Sequence, residues 1–307
     1  MEVDNRLIEN FEKGLDPAAP EKSEIPAEII GFGEISAIFR IDDNKETAYK
    51  RMPLFRNRKS AEKYTEQYHE YCQFLKETGM ELPDDSTVVI DIPKRPVVIY
   101  IAQKQFASQN FAHKLIHSTD DKKTSLIFER IIKAINGVWT FNEANGGELE
   151  LAIDGQLSNW VYIDSAEGEH LYYIDTSTPL YKIKGEEQLD PELLLQSAPS
   201  FLKWIIKLLF LSDVMNRYYD PRQVYVDLAA NLYKEQRPDL IPLAVELINK
   251  NLFKGIEPLT MAEIKKYYKE DKLIWTLFLS FRRIDRWIKT RVLKRRYEFI
   301  LPGNIKR

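Results

Sequence analysis

The sequence predicts an α+β protein of two lobes, a small antiparallel β-rich N-lobe followed by a large, mainly helical C-lobe. Three observations lead there. Residues 25–104 carry short alternating runs separated by Gly, Asp, Asn and Pro turns, the pattern of strands and hairpins. Beyond residue 105, apolar residues recur every three or four positions, the spacing of amphipathic helices. The chain has 307 residues, 44% of them hydrophobic and 30% charged, enough to bury the core of one two-lobed unit or of two domains.

The elements follow in order. Residues 1–24 hold a short helical pattern (Leu7, Ile8, Phe11) and then Asp16-Pro-Ala-Ala-Pro20, expected to form an N-terminal extension. Ile29-Ile-Gly-Phe-Gly-Glu-Ile-Ser36, Ala37–Ile41 and Glu46–Lys50 read as strand, glycine turn, strand, hairpin turn and strand. Ser60–Thr78 has Ala61, Tyr64, Tyr68, Tyr71, Cys72 and Leu75 at helical spacing. Thr87–Ile92 and Pro96–Gln103 are strands around a turn at Pro93–Arg95. Leu126 to Trp139 mark a long helix. Phe201–Leu211 reads as a buried helix, and further helices start at Asp220-Pro221 and Thr260, with breaks near Pro238 and Pro242.

The residues that carry chemistry lie at three places. Gly31 and Gly33 lack a Cβ, which lets backbone approach a phosphate. Lys50 ends an alternating run, with Ala48 on its own face and Tyr49 on the other. Asp154-Gly-Gln-Leu-Ser-Asn159 precedes a hairpin of Trp160–Ile163 and Leu171–Ile174. Pairing Ile163 with Leu171 sets Asn159 opposite Asp175, beside Asp154. Two carboxylates and a carboxamide so placed suit Mg²⁺ on phosphate oxygens and the orientation of a hydroxyl.

A glycine turn, a strand lysine, a glutamate-bearing helix, a hinge-like strand, a helix, D-x-x-x-x-N and a strand running into Asp occur once each, in that order. Over roughly residues 25–215 the chain thereby resembles the protein-kinase-like fold, and within it the aminoglycoside phosphotransferase and choline kinase branch, as an uncharacterised family. The resemblance implies ATP and Mg²⁺ as cofactors. Gly31 and Gly33 would cover the phosphates and Lys50 would hold them. Asp154 would be the catalytic aspartate, with Asn159 and Asp175 as metal ligands. A glutamate of the following helix would pair with Lys50: Glu66 and Glu70 fit the spacing, and Glu70, nearer the apolar stripe, is preferred. Backbone near Ala102–Gln105 would meet an adenine edge. The implied function is transfer of the γ-phosphoryl group to a hydroxyl. No peptide-docking A-P-E follows Asp175, only Ala198-Pro-Ser200, in a segment expected to be mostly loop; a small-molecule acceptor is therefore expected.

Departures from that pattern motivate an alternative, a nucleotide-binding pseudokinase or scaffold. Ala152 stands where the family has His or Tyr, Gln156 stands where a lysine is usual, and Thr176 follows Asp175 without a glycine after it. Composition narrows the partners. A formal net charge of −3 gives no expectation of nucleic-acid binding. One cysteine, Cys72, forms no internal disulfide, and the charged start lacks an apolar leader, so a cytoplasmic location is expected. Arg282 to Arg296 are expected to form a basic amphipathic helix: a packed surface helix, a contact for an anionic membrane or acidic partner, or a site for an anionic substrate or nucleic acid.

Overall fold

The computed structural model describes residues 1–33, 36–197, 199, 203 and 211–302. The expected loop residues Glu34 and Ile35, most of Ala198–Ser200 and nearly all of the Phe201–Leu211 helix lie outside them. The structure is α+β. Five antiparallel strands, β1 (Ala27–Phe32), β2 (Ala37–Ile41), β3 (Thr47–Phe55), β4 (Asp85–Ile90) and β5 (Val97–Lys104), form one sheet in the order β1-β2-β3-β5-β4. The turn before β5 contains Lys94 at φ 67°, as the Pro93–Arg95 signal predicts.

Each sheet face has its own cover. Helix α1 (Asn5–Gly14), started by Asp4 accepting from the Arg6 and Leu7 amides, lays Ile8, Phe11 and Leu15 on Phe39, Tyr49, Tyr100 and Ala102. The N-terminal residues are therefore part of the core. Helix α2 (Arg58–Glu77), capped by Asn57, packs Ala61, Tyr64, Tyr68 and Cys72 on the other face, against Met52, Phe55, Ile99 and Ile101. Alternation along β3 thus sends Tyr49 and Arg51 towards α1, and Lys50 and Met52 towards α2.

Arg51 is fully buried. It forms a two-pronged pair with Glu12 of α1 at 2.6 and 2.7 Å and also reaches Glu298 near the C-terminus, which brings both ends of the chain to the back of β3. A water-sized cavity of about 10 Å³ lies there, lined by Ser36, Arg51, Arg282 and Glu298, on the opposite side of β3 from Lys50.

The helical part is built on α3 (Asp121–Ala144), α4 (Leu211–Tyr219), α5 (Pro221–Lys234), α6 (Ile241–Lys250) and α7 (Met261–Trp287). Asp220 and Thr260 cap α5 and α7, as their sequence signals predict. Pro242 differs from expectation. It sits in the first turn of α6, where a missing N–H costs nothing, and so begins a helix instead of breaking one. Ile131, Ile135, Val224, Leu228, Ala244 and Ile248 are core residues between α3, α5 and α6. No described helix is long and apolar enough to cross a membrane.

Two small sheets complete the fold. β7 (Trp160–Ser165) and β8 (Gly168–Tyr173) form a hairpin. β6 (Leu149–Leu151), β9 (Tyr181–Ile183) and β10 (Glu186–Glu187) form a three-stranded sheet in the order β10-β9-β6. The segment after Asp175, expected to be mostly loop, therefore contributes two strands. β10 pairs with β9, and β9 pairs in turn with β6, from 30 to 34 residues upstream (Leu151 with Tyr181, Leu149 with Ile183), which local turn signals cannot reveal.

Candidate functional site

The hairpin register differs from expectation by one residue. Ile163 pairs with His170 and Trp160 with Tyr173, because the turn is only Ala166-Glu167, tighter than its polar flanks suggest. Asn159 therefore lies opposite Ile174, whose N–H donates to the Asn159 carbonyl at 2.9 Å, and Asp175 falls one residue beyond. The two side chains do not face each other as cross-strand partners; Asp175 is turned to the sheet instead.

There it meets Lys50. The Lys50 Nζ lies 3.0 Å from Asp175 Oδ1 and 2.9 Å from Ser177 Oγ, and Ser177 Oγ donates to the same carboxylate oxygen at 3.2 Å. Lys50 is buried, and its β3 position sits between Ile38 of β2 and Ile101 of β5. Gly31 is also opposite Ile38, so it shares the Lys50 face of the sheet two strands away, about 10 Å. A Cβ on Gly31 would stand 3.1 Å from the Ile38 side chain. Gly33 follows β1 and closes a turn through its N–H to the Ser36 carbonyl, 3.1 Å.

Glu70 is not brought to Lys50. Its carboxylate accepts from the Tyr181 hydroxyl at 2.5 Å, and Glu62, Glu66 and Glu70 are all exposed. The face of α2 turned to the site is a row of tyrosines. Tyr64 donates to the Ser177 carbonyl, Tyr68 accepts from Thr176 Oγ1 at 3.3 Å, and Tyr71 donates to the Ala152 carbonyl at 2.7 Å. Burial pushes all three hydroxyls well above the usual tyrosine range, so they remain neutral donors. Gln103 of β5 donates to Thr176 at 3.0 Å. Thr176, unusual after the aspartate on sequence grounds, belongs to a buried polar chain from β5 to α2. An apolar residue there would leave Gln103 and Tyr68 short of a partner.

The Asp154 loop is fixed from behind by α5. Asn231 accepts from the Leu157 N–H at 3.1 Å and donates to Gln156 Oε1 at 3.3 Å. Within the loop, Asp154 Oδ1 accepts from the Gln156 N–H at 3.0 Å, and Asn159 Nδ2 donates to the Asp154 carbonyl at 3.2 Å. Gly155 packs so tightly that a Cβ would come 2.9 Å from Val224 of α5. Asp154 retains partial access to solvent but is closely surrounded by protein. Burial, then the negative charges of Asp227 and Asp175, push its carboxyl well above the usual range. Asp227, on α5, is itself raised by burial, with Lys234 opposing.

One other expectation meets a different geometry. The Lys104 N–H donates to the Asp84 carbonyl at 2.9 Å and the Gln105 N–H to the Glu46 carbonyl at 2.7 Å, so neither amide at the end of β5 is free for an adenine edge. Cys72 is buried, which pushes its thiol up to about 12 and keeps it protonated, a packing residue.

Residues 18–286 match the family described as "Family of unknown function (DUF6206)". The chain belongs to that family. No curated protein matches it. Among solved structures it is similar to "WaaP in complex with acyl carrier protein", with 11% identity, a TM-score of 0.35, and coverage of 85% of this chain and 91% of that one. For this DUF6206 member the site geometry therefore carries the functional argument. Sequence reading singled out Lys50, Asp154, Asn159 and Asp175 but missed Ser177, Asn231 and Asp227. Of the groups that brace the site, Tyr64, Tyr68 and Tyr71 carry a signal in the sequence, their helical spacing along an apolar stripe.

Proposed function

We propose that this chain is a Mg²⁺-ATP-dependent phosphotransferase of protein-kinase-like fold, moving a γ-phosphoryl group to a hydroxyl of a small molecule. The observation that carries the reading is the meeting of Lys50 with Asp175 from 125 residues away, beside the Asp154–Asn159 loop. A lysine on the third strand, an aspartate at the end of a hairpin and a D-x-x-x-x-N loop are the parts that phosphoryl transfer by positioning requires.

The donor set suits Mg²⁺. Asp175 supplies a carboxylate, and Asn159 spends its amide nitrogen on the Asp154 carbonyl, which leaves its oxygen to a cation. Mg²⁺, when bound, would neutralise charge developing on the phosphate oxygens. The chain's own residues do the rest. The Lys50 ammonium exchanges Asp175 for the phosphates, and Asp154 orients the acceptor hydroxyl and takes its proton. Tyr64, Tyr71 and Asn231 fix the backbone next to these residues, at Ser177, Ala152 and Leu157.

The test is ATP binding with and without Mg²⁺, followed by γ-phosphate loss across a panel of hydroxyl-bearing small molecules. Mg²⁺-dependent binding that Asp175→Ala abolishes, with turnover that Asp154→Ala abolishes, supports the proposal. Equal ATP affinity in wild type, Lys50→Ala and Asp175→Ala ends it.

A second reading, a nucleotide-binding pseudokinase, is favoured by one observation: the α2 glutamates are exposed, and tyrosines face the site where an ion-pair partner for Lys50 is required. Mg²⁺-ATP binding without phosphate loss on any acceptor selects it.

A further inference from the structure

Helix α7 has two unlike faces. The inner one is fixed on the rest of the protein: Ile264 is buried, Tyr268 stacks on Tyr233 of α5 at 4.6 Å, and Arg282 and Asp285 are buried. The outer one is apolar. Among the described residues, seven of the twelve large hydrophobic side chains that are exposed lie between Leu273 and Leu293. Leu273 (61% exposed), Leu277, Ile284 and Trp287 (59%) recur at intervals of four, seven and three, which places them on one stripe of the helix. Val292 closes the π-helical turn Ile288–Val292, where the helix expected to reach Arg296 ends, and with Leu293 it extends the exposed apolar run.

Charge is sorted around the stripe. The acids of α7 are mostly used inward: Glu263 pairs with Arg222, Asp271 with Lys234 and Asp285 with Lys289. Lys265, Lys266, Lys269, Lys272 and Arg286 are exposed, and Arg291 follows them, whereas Glu270 is the exposed acid. A chain of net charge −3 thus presents one strongly positive helix with an apolar seam.

We propose that the outer face of α7 is an interfacial docking surface for an anionic lipid bilayer. The apolar seam would enter the boundary between headgroups and acyl chains, and the lysines and arginines would meet lipid phosphates. Trp287 near the helix end suits that boundary, since indole has an apolar body and one N–H donor. A second copy of this chain is disfavoured because face-to-face packing would bring the two basic flanks together. The proposal is independent of the phosphotransferase reading.

The test is co-sedimentation of the full chain with phosphatidylcholine vesicles, with and without about a third phosphatidylglycerol. Partition onto the anionic vesicles alone, weakened by salt, is expected, and Leu277→Glu combined with Trp287→Glu lowers it about tenfold or more. These side chains are exposed, so the variant retains its core; an unchanged melting temperature verifies this. Trp287→Phe keeps binding and loses part of the blue shift in tryptophan emission on vesicle addition. No partition onto anionic vesicles, equal partition by the double variant, or a dimer or an acidic-protein complex that the double variant dissociates in the absence of lipid overturns the assignment.

Discussion

Lys50, buried, and Asp175, half-buried, form an ion pair of 3.0 Å between β3 and the residues after β8, with Ser177 bridging both partners. Under the phosphotransferase proposal the pair stands where a metal-bound phosphate would bind, so nucleotide binding would separate it. In the proposed function the two charges exchange each other for the phosphate and the cation. Lys50→Ala should therefore weaken ATP binding by about 1.5–3 kcal/mol, tenfold or more, the worth of a hydrogen bond to a charged group. Titration calorimetry on both proteins measures it.

Asp154 has a different role and a different expected signature. Asp154→Asn removes the proton acceptor while keeping the shape and the Gln156 N–H contact. Turnover should fall by about 10²–10⁴, with ATP affinity unchanged within error. Single-turnover kinetics beside a binding titration separate the two effects.

Asn231 positions the Asp154 loop from α5 without touching a reactant, through Leu157 N–H and Gln156 Oε1. Asn231→Ala leaves a buried N–H unsatisfied and should cost about 1–3 kcal/mol of stability. It should also lower kcat while leaving the KM for ATP in place. Rescue by Asn231→Asp, which restores the acceptor but not the donor, distinguishes the Leu157 contact from the Gln156 contact.

Glu12 and Arg51 provide a test of the fold itself. Burial alone would raise the Glu12 carboxyl, but the Arg51 charge, its hydrogen bonds and the Tyr100 hydroxyl outweigh burial and hold it below the usual range. A lowered folded value means that its stabilisation is complete above about pH 4.3 and is lost as pH falls through that lower value. Glu12→Gln leaves buried Arg51 with Glu298 as its remaining acid and should cost about 3 kcal/mol at neutral pH, the low end for breaking a buried pair, with a flatter acid limb. Urea unfolding from pH 7 down to about pH 3 follows both effects.

The strands of the five-stranded sheet, the long helices and the caps of α5 and α7 were legible because they depend on local pattern. Alternation, Asp220-Pro221 and Thr260 act within a few residues of themselves. The hairpin register was not, because one residue in the turn length moves every pair, and the polar run Asp164–His170 does not say where the chain reverses. The partner of Lys50 was also hidden. Spacing along α2 makes Glu70 as reasonable as Tyr64 or Tyr68, and only the rotation of that helix on the sheet turns the tyrosines inward.

The amino-acid order alone determined which side chains can act: a lysine at the end of an alternating run, two aspartates, an asparagine and glycines without a Cβ. Tertiary structure decided their company: Asp175 and Ser177 at Lys50, Asn231 behind the Asp154 loop, Glu12 on Arg51. The reason is that contacts across 39 to 127 residues depend on how helices and sheets settle against one another. That packing is set by burial summed over whole faces, which no single residue encodes.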